Sequence, residues 1–342
     1  MKKLRFGVIG AGFWSQFQIP GWLESDQVEL VAVCDQDLKR AQSATDRFGG
    51  NAYGDARKMI ANEKLDFVDI ITNVESHLAF AKLVAENGVQ VVCQKPLADS
   101  LAAATELVDT CQHHGVRLFA NENFRWQAPL REVKRLMTDQ AVGAIFKARV
   151  SFCSAFPVFD NQPHLGLIDR FIMTDIGSHI FDICRFLMGE VDTLYCQIQR
   201  VNEGIQGEDV ANALMKMESG AHCLAEMSYA SILEREAFPE TLVFLEGDQG
   251  SIALLHDRTI KISTSAGTTT QQVPVKSYPW ADPDYDLIHS SIVETQKDIL
   301  RGLQGGQAET TGGDNLETVR LVWAAYHSAE NNRLVNVKDF GR

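Results

Sequence analysis

The chain has 342 residues, 45% of them hydrophobic and 23% charged, proportions of a globular protein with enough length for two domains and a full core. Its 45 acidic residues outnumber 32 Lys and Arg, and the net charge of −13 argues against non-specific binding to nucleic acid or an anionic membrane, leaving a small neutral molecule as the expected partner. No run approaches the roughly 20 apolar residues of a membrane span, and the short one behind Met1-Lys2-Lys3 is needed as a strand, so a cytoplasmic location is expected. The seven cysteines stand singly, without metal-ligand spacing; buried free thiols and no metal site are expected.

Leu4 to Ile9 forms an apolar run that meets Gly10-Ala11-Gly12, and Asp35 closes the next run, Val28 to Cys34. Gly10 permits a tight turn, and Gly12 lets backbone amides approach a pyrophosphate at a helix N-terminus. Asp35 lies 23 residues beyond Gly12, where a carboxylate accepts hydrogen bonds from an adenosine ribose diol. The same charge repels a 2′-phosphate, which favours NAD; Lys39 and Arg40 leave NADP possible. The third position of G-x-G-x-x-G holds Ser15. Phe13 and Trp14 either cover the cofactor or anchor the helix.

Further strands are predicted at Phe67 to Thr72, Val89 to Cys93 and Val116 to Ala120, with helices at His77 to Asn87 and Leu101 to His114 between them, a rhythm of α/β structure with a parallel sheet. Beyond Pro129 come a helix, Leu130 to Met137, the strand Ala144 to Phe152 and an irregular segment to Gly166. Strand candidates then follow in succession at Leu194 to Val201, Val210 to Met217, His222 to Tyr229, Thr241 to Leu245, Ser251 to Leu255 and Thr259 to Ser263. They read as an antiparallel sheet with helices on one face, the other open to solvent or a second copy. Helices at Leu287 to Leu303 and Asn315 to Asn331 close the chain. The expected division is a dinucleotide-binding domain over 1–121 and a substrate and oligomerisation domain over 122–342.

Three segments carry candidate chemistry. Thr72-Asn73, with His77 beyond, follows a parallel strand at the sheet edge where ligands bind, although Thr and Asn are also common helix caps. Gln94-Lys95-Pro96 delivers a lysine to that edge, with the backbone before proline held extended. Asp175 and His179 lie four residues apart on a predicted helix, so a carboxylate can orient an imidazole; such a pair is also often a plain surface pair.

Gly7 to Gly12, Thr72 with His77, Lys95-Pro96-Leu97-Ala98, Asp175 to Asp182, and Thr311 to Asn315 leading into Ala324 to Ser328 together resemble the Gfo/Idh/MocA oxidoreductases, named for glucose-fructose oxidoreductase and inositol dehydrogenase. The resemblance implies an N-terminal Rossmann domain and a C-terminal α+β domain with a large, mainly antiparallel, open-faced sheet, and a substrate cleft between them; the open face of the strand run predicts a homodimer or homotetramer assembled through that sheet. By the same likeness Lys95 contacts the reacting hydroxyl and the nicotinamide ribose, His179 is the proton-transferring base and Asp175 assists it. Family members usually carry Glu before the lysine and Pro after the threonine, where this chain has Gln94 and Asn73. The turn Asn121 to Trp126 offers Asn123, Arg125 and Trp126 toward substrate, and the loop ahead of Asp175 offers His164 and Arg170. The implied activity is an NAD(P)-dependent dehydrogenase of CH–OH groups. Glu122 to Trp126 and Asn161 to Pro163 resemble aldose 1-dehydrogenases that make lactones, with the branched pentose D-apiose as the sharpest candidate substrate. An inositol-type polyol dehydrogenase, an NAD-cycling glycoside hydrolase and a non-catalytic dinucleotide-binding regulator are the alternatives.

Overall fold

The computed structural model describes residues 3–236 and 238–341. Contacts divide the chain into two units: 1–123 with 277–319, and 124–276 with 320–342. Sequence alone suggests two consecutive domains, 1–121 and 122–342; the contacts instead group 277–319 with the N-terminal unit.

The first unit alternates strands and helices: β1 (Leu4–Ile9), α1 (Ser15–Leu23), β2 (Val28–Cys34), α2 (Leu38–Phe48), β3 (Asn51–Tyr53), α3 (Ala56–Asn62), β4 (Phe67–Ile70), α4 (His77–Glu86), β5 (Gln90–Gln94), α5 (Leu101–His113) and β6 (Leu118–Asn121). All pairings are parallel, and the described strands form a six-stranded sheet in the order β3-β2-β1-β4-β5-β6. The order reverses between β1 and β4, and the loops after β1, β4 and β5 therefore lie side by side at the carboxyl edge, the place where open α/β sheets bind ligands. The strands are buried on both faces, which is why they read as continuous apolar runs. Phe6 stacks on Phe67 with ring centroids 5.2 Å apart, and Trp22 of α1 packs against both.

In the second unit α6 (Ala128–Thr138) leads to β7 (Ile145–Cys153), the short α7 (Val158–Asn161) and α8 (Ile172–Met188). The strands β8 (Val191–Gln199), β9 (Val210–Met217), β10 (His222–Ser228), β11 (Leu242–Gly247), β12 (Gly250–Leu255), β13 (Thr259–Thr264) and β14 (Gly267–Gln272) follow. Then α9 (Asp286–Leu303) rejoins the first unit, where Gln296 Nε2 donates to the Gln18 carbonyl at 2.9 Å, and α10 (Gly312–Asn331) and β15 (Val335–Asn336) end the chain. The described strands form a nine-stranded sheet, β14-β13-β12-β11-β7-β10-β9-β8-β15, antiparallel except between β7 and β10. Helix α8 covers β7, β9 and β10, and α6 covers β12 and β13. The opposite face keeps the alternating outward residues of an antiparallel sheet with one face uncovered, including Leu214 and Phe244. Among the described residues no helix is long and apolar enough to cross a membrane.

Candidate active site

The loop after β1 has the conformation a dinucleotide requires. Gly10 has φ +103°, and a Cβ there would meet the Ile71 carbonyl oxygen at 2.2 Å; any side chain is excluded twice over. A Cβ on Gly12 would meet no protein atom, so the protein's own packing does not explain the glycine, whereas backbone approach by a ligand does. Asp35 accepts from the Ala11 amide at 2.8 Å and from the Asp37 amide at 2.9 Å, one bond to each oxygen. Its carboxylate thus ties the end of β2 to the glycine loop, with lone pairs left for a ribose diol. Ser15 stands where a third glycine is usual because it is small: it is buried, and its hydroxyl returns to the Gly12 carbonyl at 2.7 Å. Phe13 is exposed at 41% and touches Trp14 and Phe17 edge-on, while Phe17 stacks on His289 of α9 at 4.6 Å. These residues fit an NAD.

β4 ends at Ile70, before the expected Thr72, because a turn at Thr72-Asn73 enters a short 3-10 segment, Val74–Ser76. Ser76 Oγ donates to Thr72 Oγ1 at 2.7 Å and Asn73 is exposed. His77 is buried, with Nδ1 3.0 Å from the Pro96 carbonyl oxygen and Nε2 3.0 Å from that of Thr72. Burial lowers its pKa, and a neutral ring donates to one of these carbonyls at a time. It links the loop after β4 to the loop that carries Lys95. Gln94 is buried at the end of β5 and accepts the Lys95 amide at 3.0 Å, while the Lys95 side chain is partly exposed.

Asp175 and His179 sit on successive turns of α8. Tyr229 donates its hydroxyl to Asp175 Oδ2 at 3.3 Å; loss of hydration and the facing carboxylate push the phenol well above its usual pKa, so it remains a donor. The start of α8 is held by Glu208, whose carboxylate accepts the Phe171 and Met173 amides at 3.3 Å each and the Tyr326 hydroxyl at 2.6 Å. These are amides a helix cannot satisfy internally, and a carboxylate also suits that end of the helix dipole. His179 is buried, its imidazole stacked on Phe124 at 3.8 Å.

The remaining substrate candidates are placed differently from one another. Asn123 donates to Ser291 Oγ of α9 at 2.7 Å. Arg125 is buried and forks onto Asp182 of α8. Trp126 is half-buried beneath the guanidinium of Arg131, 4.2 Å from its ring centroid. His164 is exposed. Arg170 pairs with Glu330 at 2.7 Å and lies over the rings of Trp323 and Tyr326, against α10. Thus Gly10, Gly12 and Asp35 come together, as do Thr72, His77 and the Gln94–Pro96 turn, while Arg125 joins the α8 group. Sequence reasoning did not single out Glu208, Tyr229 or Asp182 as partners, because each acts on a residue distant in the chain and no local spacing marks it.

Among the described residues no group of three or more His, Cys, Asp or Glu is arranged to hold a metal. The sequence pattern of the GFO_IDH_MocA oxidoreductases, with NAD-binding Rossmann fold, matches residues 4–122, and that of the GFO/IDH/MocA C-terminal domain matches 130–253. The chain is 42% identical over 340 residues to a D-apiose dehydrogenase of Paraburkholderia graminis, covering 99% of this chain and 91% of that one. It is 40% identical to a D-apiose dehydrogenase of Rhizobium rhizogenes, covering 98% of each. A crystal structure of an Agrobacterium radiobacter oxidoreductase in complex with NAD+, L-tartaric acid and magnesium superposes with a TM-score of 0.96 at 39% identity, covering 98% of this chain and 99% of that one. From the glycine loop to the last helix, the chain belongs to the Gfo/Idh/MocA family of NAD(P)-dependent oxidoreductases acting on CH–OH groups.

Proposed function

We propose that this NAD-dependent sugar dehydrogenase oxidises D-apiose, or an aldopentose close to it, at the anomeric hydroxyl to give the lactone. The observation that carries the substrate is the likeness, at 40% identity or more over nearly the whole length, to D-apiose dehydrogenases of two organisms. An acidic chain without a basic cluster suits a neutral sugar. In this assignment His179 takes the proton of the anomeric hydroxyl as its exocyclic C1–O bond becomes the lactone carbonyl, the ring oxygen staying bonded to C1, and Asp175 stabilises the imidazolium that results. Lys95 donates to the reacting oxygen and to the nicotinamide ribose. NAD, when bound, supplies the acceptor for the hydride leaving the same carbon. The glycine loop with Asp35, flanked by Phe13 and Trp14, holds the adenosine and pyrophosphate; Thr72, Asn73 and Gln94 line the nicotinamide side, with His77 supporting them from below. Asn123, Trp126 and His164 are assigned to the sugar.

Lys95→Ala and His179→Ala are each expected to lower turnover at least about 100-fold, the scale of acid–base contributions, while NAD binding measured by fluorescence titration stays intact. Undiminished turnover in both variants would refute the roles given to these residues.

A second copy of the chain is proposed to cover the open face of the nine-stranded sheet. Leu214, Leu224 and Phe244 fall in one row across β9, β10, β7 and β11, with Arg149 between the last two. Lys147–Glu246 at 2.6 Å flanks that row, and Arg149 reaches from within it to Glu226 at 3.6 Å. Exposed apolar side chains set among paired charges, with an arginine between them, suit a subunit interface.

A further inference from the structure

Phe124 and Arg125 are consecutive residues of the turn before α6, and His179 and Asp182 are three apart on one face of α8. Phe124 engages His179, and Arg125 engages Asp182 and lies over the ring of Phe186. The Phe124 ring lies parallel to the His179 imidazole, 3.8 Å between centroids and 7° between planes. Arg125 Nε donates to Asp182 Oδ2 at 2.6 Å, and Nη2 donates to Oδ1. All four side chains are buried. The guanidinium of Arg131 on α6 then spans the rings of Trp126 at 4.2 Å and Phe186 of α8 at 4.9 Å, and Lys134 donates to the Leu187 carbonyl at 3.2 Å.

We infer that the Phe124-Arg125 turn is a positioning device for His179, a role that rests on the assignment of His179 as the base. The two contacts do different jobs. The Arg125–Asp182 fork is planar and directional, and it fixes the turn in register along the helix. Set in that register, the Phe124 face holds the plane of the imidazole, which cannot rotate about its Cβ–Cγ bond without losing the contact. The electron-rich face also favours the cation that forms when His179 takes a proton. A buried ion pair is a weak source of net stability, so what this one supplies is better described as geometry. Arg125 accordingly serves the base through the helix; Phe124, Arg125 and Asp182 are positioning residues.

The test is steady-state kinetics of NADH formation from the aldose, with NAD affinity and melting temperature measured alongside, for Phe124→Leu, Phe124→Tyr, Arg125→Lys and His179→Ala. Phe124→Leu keeps most of the volume and removes the aromatic face; its kcat should fall about tenfold with the sugar KM and the NAD Kd within about twofold, the pattern of an interaction needed in the transition state. Phe124→Tyr, which retains the face, should regain most of that loss. Arg125→Lys keeps the charge without the fork and should likewise lose kcat more than KM, which gives a reading even if Phe124→Leu does not fold. Wild-type kcat in both Phe124→Leu and Arg125→Lys beside an inactive His179→Ala would overturn the positioning role alone, as would a tyrosine variant no better than the leucine one. An active His179→Ala would overturn the assignment of the base itself.

Discussion

Asp35 carries two tasks on one side chain. It closes the glycine loop through the Ala11 amide and turns its own segment through the Asp37 amide, and both bonds leave the carboxylate at the edge of β2 where an adenosine ribose would lie. Replacing it by serine removes the charge that opposes a 2′-phosphate. Asp35→Ser should therefore lower the ratio of kcat/KM for NAD to that for NADP by at least about tenfold, roughly 1.4 kcal/mol in discrimination. Most of the fall should come through NAD, because the diol loses its acceptor; an unchanged ratio would place the selectivity elsewhere. The tolerance of Ser15 follows from its size and its bond to Gly12, which is why a departure from the usual third glycine leaves the loop intact.

At the level of the elements, Asp69 in β4 joins three of them. It accepts from Trp22 Nε1 of α1 at 2.8 Å and from Asn121 Nδ2 at the end of β6 at 2.9 Å, and it is fully buried. Burial outweighs the two bonds and raises its pKa from 3.8 to about 7. Between these values the unfolded chain has released a proton that the folded chain still holds. Stability must then fall as pH rises through that window, by about 1.4 kcal/mol for each pH unit at most. Asp69→Asn removes the titration, and the Asn121 amide can flip to present its oxygen, which has no partner in the native structure, to the new NH2. Thermal melts from pH 4 to 8 should show a shallower decline in the variant than in the wild type; parallel curves would mean that Asp69 ionises normally. Elements with strong local patterns were legible in the sequence: β1, β2 and β9 match their apolar runs residue for residue. β3 has three residues and α2 buries only Ala41 and Thr45, so neither offers a pattern to read. Arg125 was visible as a candidate, but its commitment to Asp182 depends on a turn meeting a helix 57 residues away.

For the molecule as a whole, the proposed assembly rests on the open sheet face. Leu214 is 56% exposed and Phe244 36%, both aligned in the row described above, and covering them would remove apolar area from water at about 25 cal/mol per Å². Sedimentation velocity should show the wild type as a dimer or tetramer and the double variant Leu214→Asp, Phe244→Asp as a smaller species of unchanged fold. An unchanged sedimentation coefficient would exclude this face as the contact. The family and the two-unit architecture were legible from the order of the glycine loop, Lys95-Pro96 and the Asp175–His179 helix. The return of 277–319 to the first unit was not, because nothing local in α9 names the sheet it covers.

The central claim is the reaction. NADH formation should be followed by nicotinamide absorbance with NAD and D-apiose, in parallel with other aldoses, inositols and aldonic acids and with NADP in place of NAD. D-apiose with NAD should give the highest kcat/KM and stoichiometric lactone or its hydrolysed acid. Intact NAD binding with no NADH from any sugar, or a clear preference for an inositol, would contradict the account.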